Sequence, residues 1–260
     1  MTDGSPDPFV GAREGLWRPS SWLTPPPHPR PTHWWHVAAI VALTGYANVV
    51  ANQALSDAWD IPFNLATLAV AIGIARRSEL TWPEMGLRRD RIRRGLAVGA
   101  AAMALVAIGV VVLALVPASH AYFRDDRVIG VSAGAIAFQV LIRIPLATAL
   151  YEETLFRGVL FGMFARHFRP LTAALLSASL FGLWHLLPTV ATLRTNPAGD
   201  VVSGPLQLVG ALAAAVAGTF VAGLVFQWLR LRASSIVAPT MAHIATNGFA
   251  LIAAFWIANT

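Results

Sequence analysis

Long apolar stretches separated by short polar segments run through most of the chain from residue 33 onwards. A helix that crosses a bilayer needs about 20 predominantly apolar residues. By this measure the pattern predicts spans at 34–55, 61–76, 95–117, 130–168, 171–188, 206–229 and 235–257. The fourth stretch is too long for one straight crossing, and Arg143 and Pro145 predict a kink or a break within it. The predicted fold is an all-α polytopic transmembrane helical bundle with seven spans, or eight if the fourth stretch divides.

Composition supports this class of fold. Hydrophobic residues make up 56% of the chain and charged residues 12%, whereas soluble domains carry about 25% charged residues. The chain contains no cysteine, which excludes disulfides and thiolate metal sites. Residues 1–32 are polar and proline-rich and are predicted to form a disordered cytoplasmic tail before a transmembrane domain at 33–260.

The positive charge is distributed in a way that indicates topology. All 19 basic residues are arginines, and the net charge is +6. With the N-terminus placed in the cytoplasm, fourteen arginines fall in cytoplasmic segments and three in external ones, as the positive-inside rule expects. The charge therefore favours a bilayer partner over nucleic acid. The arginine- and alanine-rich composition is typical of a GC-rich bacterial source, which makes the bacterial inner membrane the expected location.

Six side chains that are costly inside a bilayer interrupt three of the apolar stretches. They are Glu152, Glu153, Arg157, His185, His243 and Asn247. Ionisable groups cost about 2.5–3.5 kcal/mol each on insertion scales, so they are candidates for function by default. A helix rise of about 1.5 Å per residue places Glu152, His185, His243 and Asn247, which lie on three separate helices, at a similar depth. The sequence therefore predicts that the polar faces of three helices meet inside the bundle.

These residue types fit hydrolysis of a peptide bond without a covalent intermediate. A buried glutamate can act as a general base on water, with Arg157 holding the second carboxylate ionised. His185 could help to position the water, while His243 and Asn247 could donate hydrogen bonds to the oxyanion. In a second version, Glu152, His185 and His243 bind a divalent metal such as zinc. The residues alone do not decide between the two versions.

Two other classes of protein can contain the same polar set. Transporters use buried glutamate, arginine and histidine residues as proton relays, and a membrane scaffold or immunity protein could retain them without catalysis. Single residues also have simpler interpretations. Phe181 and Trp184 are expected to pack, Asn48 to form interhelical hydrogen bonds or line a substrate entrance, and Ser132, within a Gly-x-Ser-x-Gly sequence, to pack against other helices.

Three motifs in order give a more specific interpretation. They are EETLFRG at 152–158, FGLWH at 181–185, and HIATN at 243–247 after Ala238 and Pro239. Together they resemble the motifs Glu-Glu-x-x-x-Arg, Phe-x-x-x-His and His-x-x-x-Asn of the CPBP family, the CAAX proteases and bacteriocin-processing enzymes, also called the Abi family. The resemblance covers the region 145–250, which is the motif-bearing core of the predicted transmembrane domain.

The resemblance implies a membrane-embedded endopeptidase of the glutamate or metal-dependent type. In it, Glu152 is the main water-activating residue, and Glu153 and Arg157 support it. His185, His243 and Asn247 complete the implied site. The implied substrates are peptides or membrane proteins, including lipidated ones.

Overall fold

The computed structural model describes residues 32–195 and 202–260. The predicted tail therefore lies, apart from Thr32, outside the described residues. In the described part of the chain, seven helices are long and apolar enough to cross a membrane. The predicted all-α bundle of seven spans is confirmed, and the fourth stretch does not divide into two.

The helices are defined by the following residues. They are α1 (Trp34–Gln53), α2 (Asp57–Arg77), α3 (Ile92–Ala114), α4 (Ala133–Phe164), α5 (Pro170–Trp184), α6 (Leu186–Thr195), α7 (Pro205–Ala233) and α8 (Val237–Ala258). Helices α5 and α6 together form one apolar span, Pro170–Arg194. Short 3-10 turns and a single helical turn, His120–Phe123, lie in the connections.

Helix α4 runs through Arg143 and Pro145 without the predicted break. Its turns are wider than those of an α-helix, with π-type hydrogen bonding over Gln139–Leu150 and Glu153–Leu160. Such local adjustments, together with side chains from neighbouring helices, can satisfy backbone groups that a proline leaves unpaired in a membrane. Helix continuity is therefore retained at the cost of regular α-helical geometry.

Side chains from two neighbouring helices donate to carbonyls in these wide turns. Asn64 of α2 donates to the Ala147 carbonyl at 3.0 Å, and Ser177 of α5 donates to the Phe156 carbonyl at 2.7 Å. The second half of α4 lies at the centre of the bundle, because every residue from 151 to 166 is buried. The first motif is consequently enclosed by protein and not by lipid.

The span formed by α5 and α6 is interrupted at His185. Pro188 explains the interruption, because a proline lacks an N–H group and its ring clashes with the carbonyl four residues earlier, here that of Trp184. The predicted fifth span ended at 188, whereas the helix resumes after the break and continues to Thr195. The break gives His185 a position at the end of α5.

Two polar residues differ from what the predicted spans imply. The second span begins at Ala58 and not at the predicted 61, so that it includes Asp60, and the Arg143 Nε donates to the Asp60 Oδ2 at 2.8 Å. The charge is tolerated because α4 supplies its counter-ion. Ser132 caps α4 instead of packing, since its hydroxyl oxygen accepts from the Ala135 N–H at 3.2 Å.

Helices α3 and α8 approach closely along one side of α3. A Cβ atom added at Gly95 would lie 2.9 Å from the Val237 Cβ, and one added at Gly99 would lie 2.6 Å from the Met241 Sδ. Small residues at membrane helix interfaces allow such close backbone approach. This contact fixes α8, which bears the third motif, against α3.

Candidate active site

The centre of the site is a carboxylate shared by an arginine and a histidine. Arg157 donates from Nη1 to Glu153 Oε1 at 2.9 Å, and His243 Nδ1 lies 2.8 Å from the same oxygen. All three side chains are buried. An ionised carboxylate has no hydrogen to donate, so Nδ1 of His243 must be the donor. In the neutral imidazole, Nε2 is then the unprotonated nitrogen.

Aromatic rings enclose the guanidinium of Arg157, which is 1% exposed. Its central carbon lies 3.9 Å from the centre of the Phe181 ring and 5.2 Å from that of Phe226. Ring faces attract cations most strongly where water is excluded. Phe226 also stacks on His243, with 5.1 Å between ring centres. Phe226 was not predicted from the sequence, because one phenylalanine in an apolar helix gives no distinguishing signal.

The two carboxylate oxygens of Glu152 have different surroundings. Oε1 accepts a hydrogen bond from the Trp184 indole N–H at 3.1 Å. Oε2 is buried with no hydrogen-bonding partner among the described residues, and His243 Nε2 lies 3.9 Å from it. A buried polar atom without a partner is rare and costly. A polar group between Oε2 and Nε2 would be within hydrogen-bonding reach of both atoms.

His185 lies beside the cluster of Glu152, Glu153 and His243. In the described part of the chain, its side chain makes no hydrogen bond to either glutamate. Its Nδ1 donates to the Phe181 carbonyl at 2.8 Å, and its ring contacts the Phe181 ring edge to face at 4.6 Å between centres. The Phe181 ring also contacts the His243 ring, and the Arg157 guanidinium lies over the face of the Phe181 ring. The second motif therefore connects to the first and third through its phenylalanine.

Asn247 lies one turn after His243 on α8 and is half-buried. Its side-chain amide makes no hydrogen bond to another residue in the described part of the chain. The structure thus brings Glu152, Glu153, Arg157 and His243 into one cluster, with His185 attached through Phe181. Asn247 shares the helix face of His243 and has its amide available.

The proposed metal ligands do not assemble into a site in this structure. Among residues 32–195 and 202–260, no three histidine, cysteine, aspartate or glutamate side chains could together hold a metal ion. Catalytic zinc sites use three protein ligands. Glu152, His185 and His243 therefore do not form the expected ligand set, and metal binding stays a prediction.

Asn48 of α1 forms the interhelical hydrogen bond expected of it. Its Nδ2 donates to the Trp184 carbonyl at 2.9 Å. Both residues also line a pocket of about 160 Å³ between α1 and α5, with Val41, Gly45 and Leu183 among its other walls. Trp184, expected only to pack, is thus in contact with Glu152, with α1 and with this pocket.

Comparison with known proteins supports the predicted resemblance. Residues 134–249 match the family model described as Type II CAAX prenyl endopeptidase Rce1-like. This region contains all three motifs and all six predicted site residues. No curated protein and no solved structure shows a significant match. The region 134–249, which is less than half of the chain and lies within a bundle of seven apolar helices, is therefore similar to the Rce1-like family of type II CAAX prenyl endopeptidases.

Proposed function

We propose that the protein is an intramembrane endopeptidase in which Glu152 activates water for attack on a peptide carbonyl. The observation that supports this most directly is the 3.9 Å separation between Glu152 Oε2 and His243 Nε2. A water molecule that donates one hydrogen to each atom would keep a lone pair available for the carbonyl carbon. Glu152 would take the proton and then transfer it to the leaving amine, as a general base and acid.

Glu153 and Arg157 have a supporting role in this proposal. Their ion pair holds an acceptor against Nδ1 of His243, which directs the unprotonated Nε2 towards Glu152. In this tautomer a neutral His243 has no second N–H to donate to an oxyanion. Asn247, whose amide is available, is the donor that we propose for the oxyanion, and His185 is proposed to position water or substrate through its free Nε2.

We propose peptides or membrane proteins, including lipidated ones, as substrates in a bacterial inner membrane. The N-terminus is proposed to be cytoplasmic, with the basic segment 84–94 on the same side. Because the chain has no native cysteine, single cysteines can test this orientation. A cysteine at Arg88 should resist a membrane-impermeant thiol reagent in intact cells, and one at Arg127 should react. The reverse labelling pattern would contradict the orientation.

Cleavage by purified protein in liposomes tests the proposed function. A peptide library with prenylated and unprenylated members would be incubated with wild type, Glu152→Gln and His243→Gln. Removing the general base should lower kcat by about 10²–10⁴-fold. Glu79→Gln and His33→Gln, at exposed positions, are matched controls that should cleave at the wild-type rate.

Two outcomes of this experiment would change the proposed mechanism. Full activity of Glu152→Gln, with its sequence verified, would exclude Glu152 as the base. Loss of activity in a chelator, restored by added zinc, would favour the metal-dependent type over the glutamate type.

A further inference from the structure

The two oxygens of Glu152 can exchange positions by rotation of the carboxylate unless one of them is held. Trp184 holds Oε1 through its indole N–H at 3.1 Å, which leaves Oε2 facing His243. The indole itself is buried and packs edge to face on Phe156 and at a tilt on Tyr151. Both of those residues belong to α4, the helix that bears Glu152. The ring therefore has a fixed position relative to the carboxylate.

The backbone of Trp184 is held by a second hydrogen bond, whose origin lies in the sequence. In a regular helix the Trp184 carbonyl would accept from the N–H of residue 188, but Pro188 has none. The side-chain amide of Asn48 supplies the missing donor at 2.9 Å. Asn52, one turn further along α1, donates to Asn48 Oδ1 at 2.8 Å, which fixes the amide so that Nδ2 faces Trp184.

From this geometry we infer that Trp184 is a positioning residue for Glu152 and that Asn48 acts on Glu152 through Trp184. The inference rests on the proposed function, because it assigns Glu152 the role of base. It extends the catalytic machinery to α1, which lies outside the family-matched region 134–249. The hydrogen-bond series runs from Asn52 through Asn48 and Trp184 to the carboxylate.

Kinetics of Trp184→Phe, Asn48→Leu and the double variant test the inference. Trp184→Phe keeps an aromatic ring but removes the N–H, and hydrogen bonds to charged groups are strong enough that kcat should fall by about 10- to 100-fold. KM should remain near the wild-type value, since the ring still forms the wall of the pocket. Trp256→Phe on α8, at a 45% exposed position, should leave both constants unchanged.

The double variant separates positioning from general loss of structure. If Asn48 acts through Trp184, Asn48→Leu should lower kcat in the wild-type background and have little further effect once Trp184 is phenylalanine. Equal effects of Asn48→Leu in both backgrounds, or wild-type kcat in Trp184→Phe, would overturn the inference. Glu152→Gln is measured in parallel. If Glu152→Gln retains full activity, the proposed function fails. If Glu152→Gln is inactive and Trp184→Phe has wild-type activity, only the positioning role of Trp184 is refuted.

A spectroscopic measurement tests the hydrogen bond without any substrate. The chain has nine tryptophans, and the indole N–H resonance of Trp184 in ¹⁵N-tryptophan-labelled protein is the one missing from Trp184→Phe. It should shift in Glu152→Gln, where a neutral acceptor replaces a charged one, and also in Asn48→Leu. It should not shift in Glu79→Gln. An unchanged resonance in Glu152→Gln would show that the indole does not bind this carboxylate.

Discussion

At the residue scale, the Glu153–Arg157 pair determines what the other polar groups of the site can do. Both partners are enclosed, and Glu153 Oε1 also accepts from His243. Removing one partner of a buried ion pair leaves an uncompensated charge, which is strongly destabilising. Oε1 of Glu153 is therefore committed to Arg157 and His243. The Oε2 atoms of both glutamates lack a hydrogen-bonding partner among the described residues, but it is Oε2 of Glu152 that lies 3.9 Å from His243 Nε2.

Asn247→Ala should separate catalysis from stability. The side chain makes no hydrogen bond to the described part of the chain, so its removal should change the free energy of unfolding by less than about 0.5 kcal/mol. Loss of one oxyanion donor should lower kcat by about 10²–10³-fold. Thermal unfolding in detergent and peptide cleavage would be measured together. Asn259→Ala removes only an exposed hydrogen bond to the Phe255 carbonyl and should leave kcat unchanged. An active Asn247→Ala would remove Asn247 from the mechanism.

The sequence was sufficient to predict that four of the six polar residues lie together, because charge in an apolar stretch is costly and therefore conspicuous. Glu152, Glu153, Arg157 and His243 do meet as expected. The aromatic members could not be predicted in the same way. Trp184 and Phe226 resemble any other apolar residue in a membrane helix until their neighbours are known.

At the element scale, two prolines in membrane helices have opposite effects. Pro145 predicts a kink or a break in α4, but the helix continues through wide turns, with Asn64 donating to the nearby Ala147 carbonyl. Pro188 interrupts the span of α5 and α6. Whether a proline ends a helix depends on the neighbouring donors and on the turn width, and those are properties of the packed bundle. Helix existence was therefore predictable here, but the internal breaks were not.

The close approach of α3 and α8 leads to a prediction about matched glycines. Gly95→Ala would bring a Cβ within 2.9 Å of the β-branched Val237, whereas a Cβ at Gly109 on the same helix meets nothing within 4 Å. Overpacking typically costs about 1–3 kcal/mol, while alanine in a helix gains up to about 1 kcal/mol over glycine. Thermal unfolding should show Gly95→Ala less stable than wild type and Gly109→Ala equal or more stable. Equal behaviour of the two variants would contradict the packing.

At the scale of the whole molecule, the connection between α2 and α3 joins distant parts of the bundle. Glu84 forms a two-oxygen ion pair with Arg166, at 2.8 Å for each bond, and its backbone carbonyl accepts from Arg230 of α7. Burial raises the pKa of Glu84, but hydrogen bonds from Arg166 and Thr81 outweigh it, so that the pKa lies below its usual 4.5. The connection thus contacts the chain just after α4 through the Glu84 carboxylate, which binds Arg166, and contacts α7 through the Glu84 backbone carbonyl.

This ion pair should make stability depend on acidity. Because the folded-state pKa of Glu84 is depressed, its contribution is fully present above pH 4.5 and is lost as the pH falls through the lower folded value. Glu84→Gln should cost about 3–5 kcal/mol at neutral pH, and its deficit relative to wild type should shrink in acid. Unfolding midpoints of both proteins would be measured from about pH 3 to about pH 7, a range that includes the ordinary pKa of a glutamate side chain. The two curves should converge towards the acidic end. Glu79→Gln should parallel wild type throughout, and a constant deficit for Glu84→Gln would disprove the linkage.

The hydrogen bond from Asn48 to Trp184 has a consequence for how the protein can be divided. The family match begins at residue 134, yet that region depends on donors or charges from Asn48, Asp60 and Asn64, and on the loop around Glu84. A fragment limited to the matched region would have a free carbonyl at Trp184 and an unneutralised Arg166. The region that matches the family model is therefore smaller than the unit that we expect to fold, and expression of residues 134–249 alone should yield no autonomous domain.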